Sequence, residues 1–101
     1  MAIQYSGTMR YQPGIFEQHH ESIAEVVRKS REEPGCLAYS LARDVADPDL
    51  FILYERWESQ EAFDAHFASP HVQEFAKLVK TFGKVDTNIH KFITDDGEFV
   101  R

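Results

Sequence analysis

Residues 50–54 read Leu50, Phe51, Ile52, Leu53 and Tyr54, an apolar run bounded by turn residues on one side and Glu55 on the other. Five residues are too few for a buried helix and suit a strand. Successive strand side chains point to opposite faces, so Phe51 and Leu53 face one way and Leu50, Ile52 and Tyr54 the other. Both sets are apolar, whereas a sheet with one wet face alternates apolar and polar. Any fold for this chain must therefore cover the same strand twice.

The rest of the chain supplies one cover. Residues 3–11 alternate as a first strand, with Ile3, Tyr5, Met9 and Tyr11 on one face and Gln4, Ser6, Thr8 and Arg10 on the other. Pro13 and Gly14 close it. Over residues 15–33 the period changes, and Phe16, Ile23, Val27 and Ser30 fall on one helical stripe that Ile15, Ala24 and Val26 broaden. Glu17 near the start and Arg28, Lys29 and Arg31 near the end suit the helix macrodipole. Pro34 and Gly35 stop the helix. Residues 36–44 and 50–58 then form a hairpin across the turn at 45–49. Ser59 caps a short helix; Ser69 and Pro70 begin another that carries Val72, Phe75, Val79 and Phe82 as far as Gly83. Residues 86–94 make the last strand.

This order, β-α-β-β-α-β, is the split βαβ or ferredoxin-like pattern of an α+β protein, an antiparallel sheet with helices on one face. One domain over residues 1–101 is expected. The second cover for residues 50–54 is then a partner's sheet, which predicts a homodimer. If Leu50 and Tyr54 instead sit under loops, no partner is needed.

Charge and cysteine content exclude several classes. The net charge is −6 with Lys and Arg scattered, so nothing here displaces counterions from nucleic acid or seeks an anionic membrane. Cys36 is the only cysteine, which rules out an internal disulfide or thiolate cluster and fits a reducing cytoplasm. The N-terminal residues lack a signal-peptide pattern, and the longest apolar run is far too short to cross a bilayer.

Several blocks carry a resemblance. They are Glu33-Pro34-Gly35-Cys36-Leu37-Ala38-Tyr39, Arg43-Asp44, Asp47-Pro48, Tyr54-Glu55-Arg56-Trp57 and Asp64-Ala65-His66-Phe67-Ala68-Ser69-Pro70-His71. In this order and spacing, over nearly the whole chain, the sequence resembles antibiotic biosynthesis monooxygenase (ABM) domains. The resemblance implies a dimeric α+β barrel of two ferredoxin-like sheets packed face to face. It also implies, for some members, oxidation of quinols or anthrones by O₂ without metal or flavin, while others degrade haem or isomerise small signalling molecules. Haem-degrading members carry an Asn on the first strand, and residues 3–11 contain none.

Cofactor-free oxygenation needs an apolar pocket, a base active near neutral pH, and donors for an oxyanion. Histidine suits the base. His66 follows Phe63 by three residues and so turns toward the core; it is the candidate base, or else a half-buried histidine satisfied by the backbone. His71, beside the Pro70 helix start, supports the site or simply caps. Trp57 walls the cavity with Phe63, or anchors the core between sheet and helix. Tyr54 and Tyr39 donate phenolic hydrogen bonds to a ligand, or fill an interface. Glu55 and Arg56 lie on opposite strand faces and are expected in cross-strand or cross-dimer ion pairs. His19 and His20 point about 100° apart, His66 and His71 lack helical metal-site spacing, and His90 has no acidic neighbour, so no metal or other cofactor is expected. The leading expectation is a cofactor-independent monooxygenase acting on a small quinol-like or polyphenolic aromatic. Its rivals are a non-catalytic dimer that binds such a molecule, and a structural dimer with no ligand-sized cavity.

Overall fold

The computed structural model describes residues 1–101. Strand β1 (Ala2–Arg10) leads through helix α1 (Ile15–Arg31) to the hairpin β2 (Cys36–Arg43) and β3 (Leu50–Trp57). Helices α2 (Gln60–Phe67) and α3 (Pro70–Val79) return the chain to β4 (Asp86–Thr94). The sheet runs β2-β3-β1-β4, with β1 antiparallel to both neighbours and β2 antiparallel to β3. The fold is thus the expected ferredoxin-like α+β arrangement, with strands within a residue or two of their predicted ends.

Its local causes are readable. Ser59 accepts a hydrogen bond from the Ala62 N–H at 3.1 Å and starts α2. Pro70 forces a restart after a gap of two residues, Ala68 and Ser69, since it has no N–H to continue the ladder. Ser69 caps α3 by backbone position alone, its hydroxyl donating instead to the His66 carbonyl at 2.6 Å. One long helix is thereby broken into two, and the break places His66 in the last turn of α2 and His71 in the first turn of α3.

The helix-side face of the sheet carries the core. Tyr11, Ile23, Phe51 and Phe82 are buried together, with Met9, Ile15, Phe16, Leu41, Phe75 and Leu78 packed around them. On α1 the buried stripe runs through Ile23, Val26 and Ser30, while Val27 lies at its flank. The Ser30 hydroxyl meets its burial by donating to the Val26 carbonyl at 2.6 Å. Along β3, Phe51, Leu53, Glu55 and Trp57 point into this layer and are all buried. Ile52 and Tyr54 point the other way, and within one protomer they are 41% and 39% exposed. Phe92 on β4 is 47% exposed; by its pairing with Gln4 it belongs to the same open face. The apolar second face of β3 is therefore real and uncovered by the chain's own helices.

Candidate active site

The last turn of α2 presses His66 onto the end of β3. The ring is 4% exposed and centred 4.6 Å from the Trp57 ring, 5.4 Å from Tyr39 and 5.9 Å from Phe63. Phe63 stacks on Tyr5 at 4.1 Å. Three aromatic rings from β2, β3 and α2 thus surround one imidazole, and Tyr5 of β1 backs the Phe63 ring. Trp57 is fully enclosed, so it anchors the core, and its ring is the one centred nearest His66.

What orients His66 is a residue the sequence did not mark. Glu33 sits in the turn that ends α1, just before Pro34 and Gly35. Its Oε2 lies 2.7 Å from His66 Nδ1 and its Oε1 2.8 Å from His71 Nε2. An ionised carboxylate only accepts hydrogen bonds, so both facing nitrogens carry their protons. His66 is then the tautomer with a lone pair on Nε2, which makes no hydrogen bond within the chain. Burial lowers the His66 pKa below its ordinary value, and Glu33 opposes that only in part. At neutral pH the ring is an uncharged base with one free nitrogen.

Glu33, His66 and His71 are also the groups that offer converging donors to a divalent cation, one atom of each lying within 4.8 Å of the others. Helical spacing alone had separated the two histidines; the carboxylate that joins them is distant in sequence. Within the chain the three groups are joined by the two short contacts of Glu33.

Within the chain, Glu55 and Arg56 make no cross-strand ion pair. Glu55 faces inward and its Oε1 accepts the Trp57 indole N–H at 2.8 Å. Burial raises its pKa to about 7, partly offset by that hydrogen bond and reinforced by the Glu33 charge. Arg56 points to the open face and donates to the Thr94 hydroxyl and the Asp95 carbonyl at 3.0 and 2.9 Å. Burial pushes the neighbouring Tyr39 phenol well up, so it stays a donor. Tyr54 does not join His66, Trp57, Phe63 and His71, because it lies on the other side of the sheet.

A concavity of ≈ 730 Å³ lies away from Trp57. It is an open groove between α1 and α3, floored by Val26, Phe75 and Leu78 and rimmed by charged residues, with His71 among its lining. It touches the cluster only through that histidine.

Comparison with known proteins agrees with this architecture. Residues 6–78 match the family model described as antibiotic biosynthesis monooxygenase. The Escherichia coli protein named probable quinol monooxygenase YgiN is 31% identical over 85 residues, covering 71% of this chain and 79% of that one. A Synechocystis protein of uncharacterised function is 31% identical over 75 residues, 74% of this chain; the match spans about half, 51%, of that longer relative. Among solved structures, one from Deinococcus radiodurans superposes with a TM-score of 0.84 at 22% identity, covering 100% of this chain and 99% of that one. One from Chloroflexus aurantiacus gives 0.77 at 29% identity, covering 100% of both chains. No helix is long and apolar enough to cross a membrane. The fold and the extent of the family match together establish that this chain belongs to the antibiotic biosynthesis monooxygenase family.

Proposed function

We propose that this protein is a cofactor-independent monooxygenase that oxidises a small quinol-like or polyphenolic aromatic with O₂, with His66 as the base. The observation that carries this reading is the 2.7 Å contact of His66 Nδ1 with Glu33, which leaves Nε2 basic and unpartnered against Trp57, Tyr39 and Phe63. Removing the phenolic proton makes an electron-rich phenolate that can itself reduce O₂. A neutral, buried imidazole is suited to that step. His71 supports it by sharing the Glu33 carboxylate. Trp57 and Phe63, with ring centres 6.3 Å apart, are the aromatic groups proposed to meet the substrate ring.

Oxygen uptake by metal-stripped, flavin-free protein over a panel of quinols and anthrones tests the reading. Uptake above the uncatalysed rate is expected. Histidine 66 to alanine (His66→Ala) should lower it by roughly a hundredfold, the lower range for losing a general base. Glu33→Gln, which no longer dictates the tautomer, should fall between. Tight binding of an aromatic with no uptake on any panel member would instead favour the non-catalytic binding module.

The same reading includes a homodimer built on the open sheet face. Ile52, Tyr54 and Phe92 supply its apolar surface, and the buried Arg56 Nε there has no hydrogen-bond partner within the chain. Sedimentation should show twice the 11.7 kDa chain mass. Tyr54→Lys should shift the species toward the monomer, and a wild-type monomer at high concentration would refute the arrangement.

A further inference from the structure

Glu55 is unlike the other carboxylates of the chain. Those that make ion pairs, such as Asp47, Glu17 and Glu25, meet Arg or Lys at the surface. Glu55 is 6% exposed and has no basic partner. An ionised carboxylate so placed is costly unless paired. Its neighbours explain why it holds a proton more tightly than an ordinary carboxylate. The strand register sets it between Tyr39 on β2 and Tyr5 on β1, neither of which brings a positive charge. Glu33 adds a negative charge from the turn after α1. From its own strand comes only the Trp57 N–H.

The position is as telling as the protonation. The Trp57 indole is held by Glu55 at its N–H, 2.8 Å away, and packed by His66 with ring centres 4.6 Å apart. A base whose proton affinity burial lowers and an acid whose proton affinity burial raises therefore flank one aromatic ring. Sites that run acid and base chemistry together are built from such pairs, in which environment drives two proton affinities apart.

We propose that Glu55 is the second proton carrier of this site, the acid that protonates the peroxide formed when O₂ adds to the substrate ring. The assignment rests on the monooxygenase reading and completes its proton balance. His66 takes the phenolic proton. The phenolate reduces O₂, and a bond forms between a ring carbon bearing hydrogen and the proximal oxygen, leaving a peroxide anion. Glu55 protonates the distal oxygen. The Glu55 carboxylate then takes the ring C–H proton, and that electron pair becomes the new C=O as the O–O bond breaks. Hydroxide departs and receives from protonated His66 the proton taken at the start. One phenolic arene and one O₂ give one quinone and one water; the substrate loses four electrons, O₂ gains four, and both side chains return to their starting states.

The test measures hydrogen peroxide released per O₂ consumed, using the quinol or anthrone that the wild type oxidises fastest. Glu55→Gln keeps the Trp57 hydrogen bond and removes the transferable proton. It should still consume O₂ while releasing several-fold more peroxide, and Glu55→Asp should restore part of the coupling. Infrared difference spectra below pH 7 should show a protonated-carboxyl stretch in the wild type that Glu55→Gln lacks. Full coupling in a folded Glu55→Gln protein, or no such stretch in the wild type, overturns the proposal. A wild type that consumes no O₂ with any substrate, yet shows the stretch, removes the oxygenation reading and this role with it while leaving the buried proton in place.

Discussion

Gly7→Ala is expected to lose most of the protein's folding stability. Gly7 lies in the middle of β1, paired with Leu53 on β3 and Ile89 on β4, at φ 153°. A Cβ there would stand 1.9 Å from the Asn88 carbonyl oxygen and 2.8 Å from the Ile89 Cα. Both are backbone atoms of a paired strand, so no side chain can swing aside; β4 itself must leave. Parting β4 from β1 exposes one edge of the central strand and uncovers part of the apolar layer. A cost of about 4–5 kcal/mol is the scale of the most severe single substitutions, and it rivals the whole stability of a small domain. Gly14→Ala is the control. It also has positive φ, at 87°, but nothing lies within 4 Å of its added Cβ, so about 1–2 kcal/mol is expected from backbone conformation alone. Urea unfolding of the three proteins decides the matter. A Gly7→Ala midpoint as high as that of Gly14→Ala would mean that β1 and β4 do not approach as closely as described.

That close approach is not visible from the chain's local pattern, which shows only a glycine inside an alternating strand. Other parts were legible because their causes are local. The change of period at Ile15, the Pro34-Gly35 stop and the Ser69-Pro70 restart each act over a few residues, and each marks a real boundary. The two apolar faces of β3 were legible for the same reason, since strand alternation needs no knowledge of neighbours. Alternation also held a signal for Glu55. Phe51, Leu53 and Trp57 share its parity, so it had to enter the buried layer with them. Expecting it in a cross-strand ion pair gives charge more weight than parity. The same parity puts Tyr54 on the far side of the sheet from His66. Glu33 is different in kind. In sequence it is a charge at a helix end, while its partners His66 and His71 arrive only after a hairpin and a broken helix return the chain to α1. Only its place in the Glu-Pro-Gly-Cys block hinted at more.

Glu55→Gln should make the protein more stable at alkaline pH, although it alters a buried residue. In the folded chain the carboxyl titrates at about 7, against 4.5 for an unperturbed group. The native state therefore holds a proton across this interval that the unfolded chain has released. Stability that depends on the proton is fully present below about pH 4.5 and is lost as the pH rises through about 7. The interval corresponds to about 3 kcal/mol. A glutamine side chain has no proton to lose and can still accept the Trp57 N–H. The variant should thus match the wild type near pH 4.5 and exceed it by about 2–3 kcal/mol at pH 8. His66 acts in the opposite sense. Its folded pKa is depressed by burial, so its neutral form belongs to the native state and acidification below about 6.5 costs stability. That loss is common to both proteins and cancels in their difference. Paired urea titrations at pH 5 and pH 8 isolate the Glu55 contribution. A stability gap that is the same at both values would show that Glu55 is ionised throughout, and the burial argument for its proton would fall.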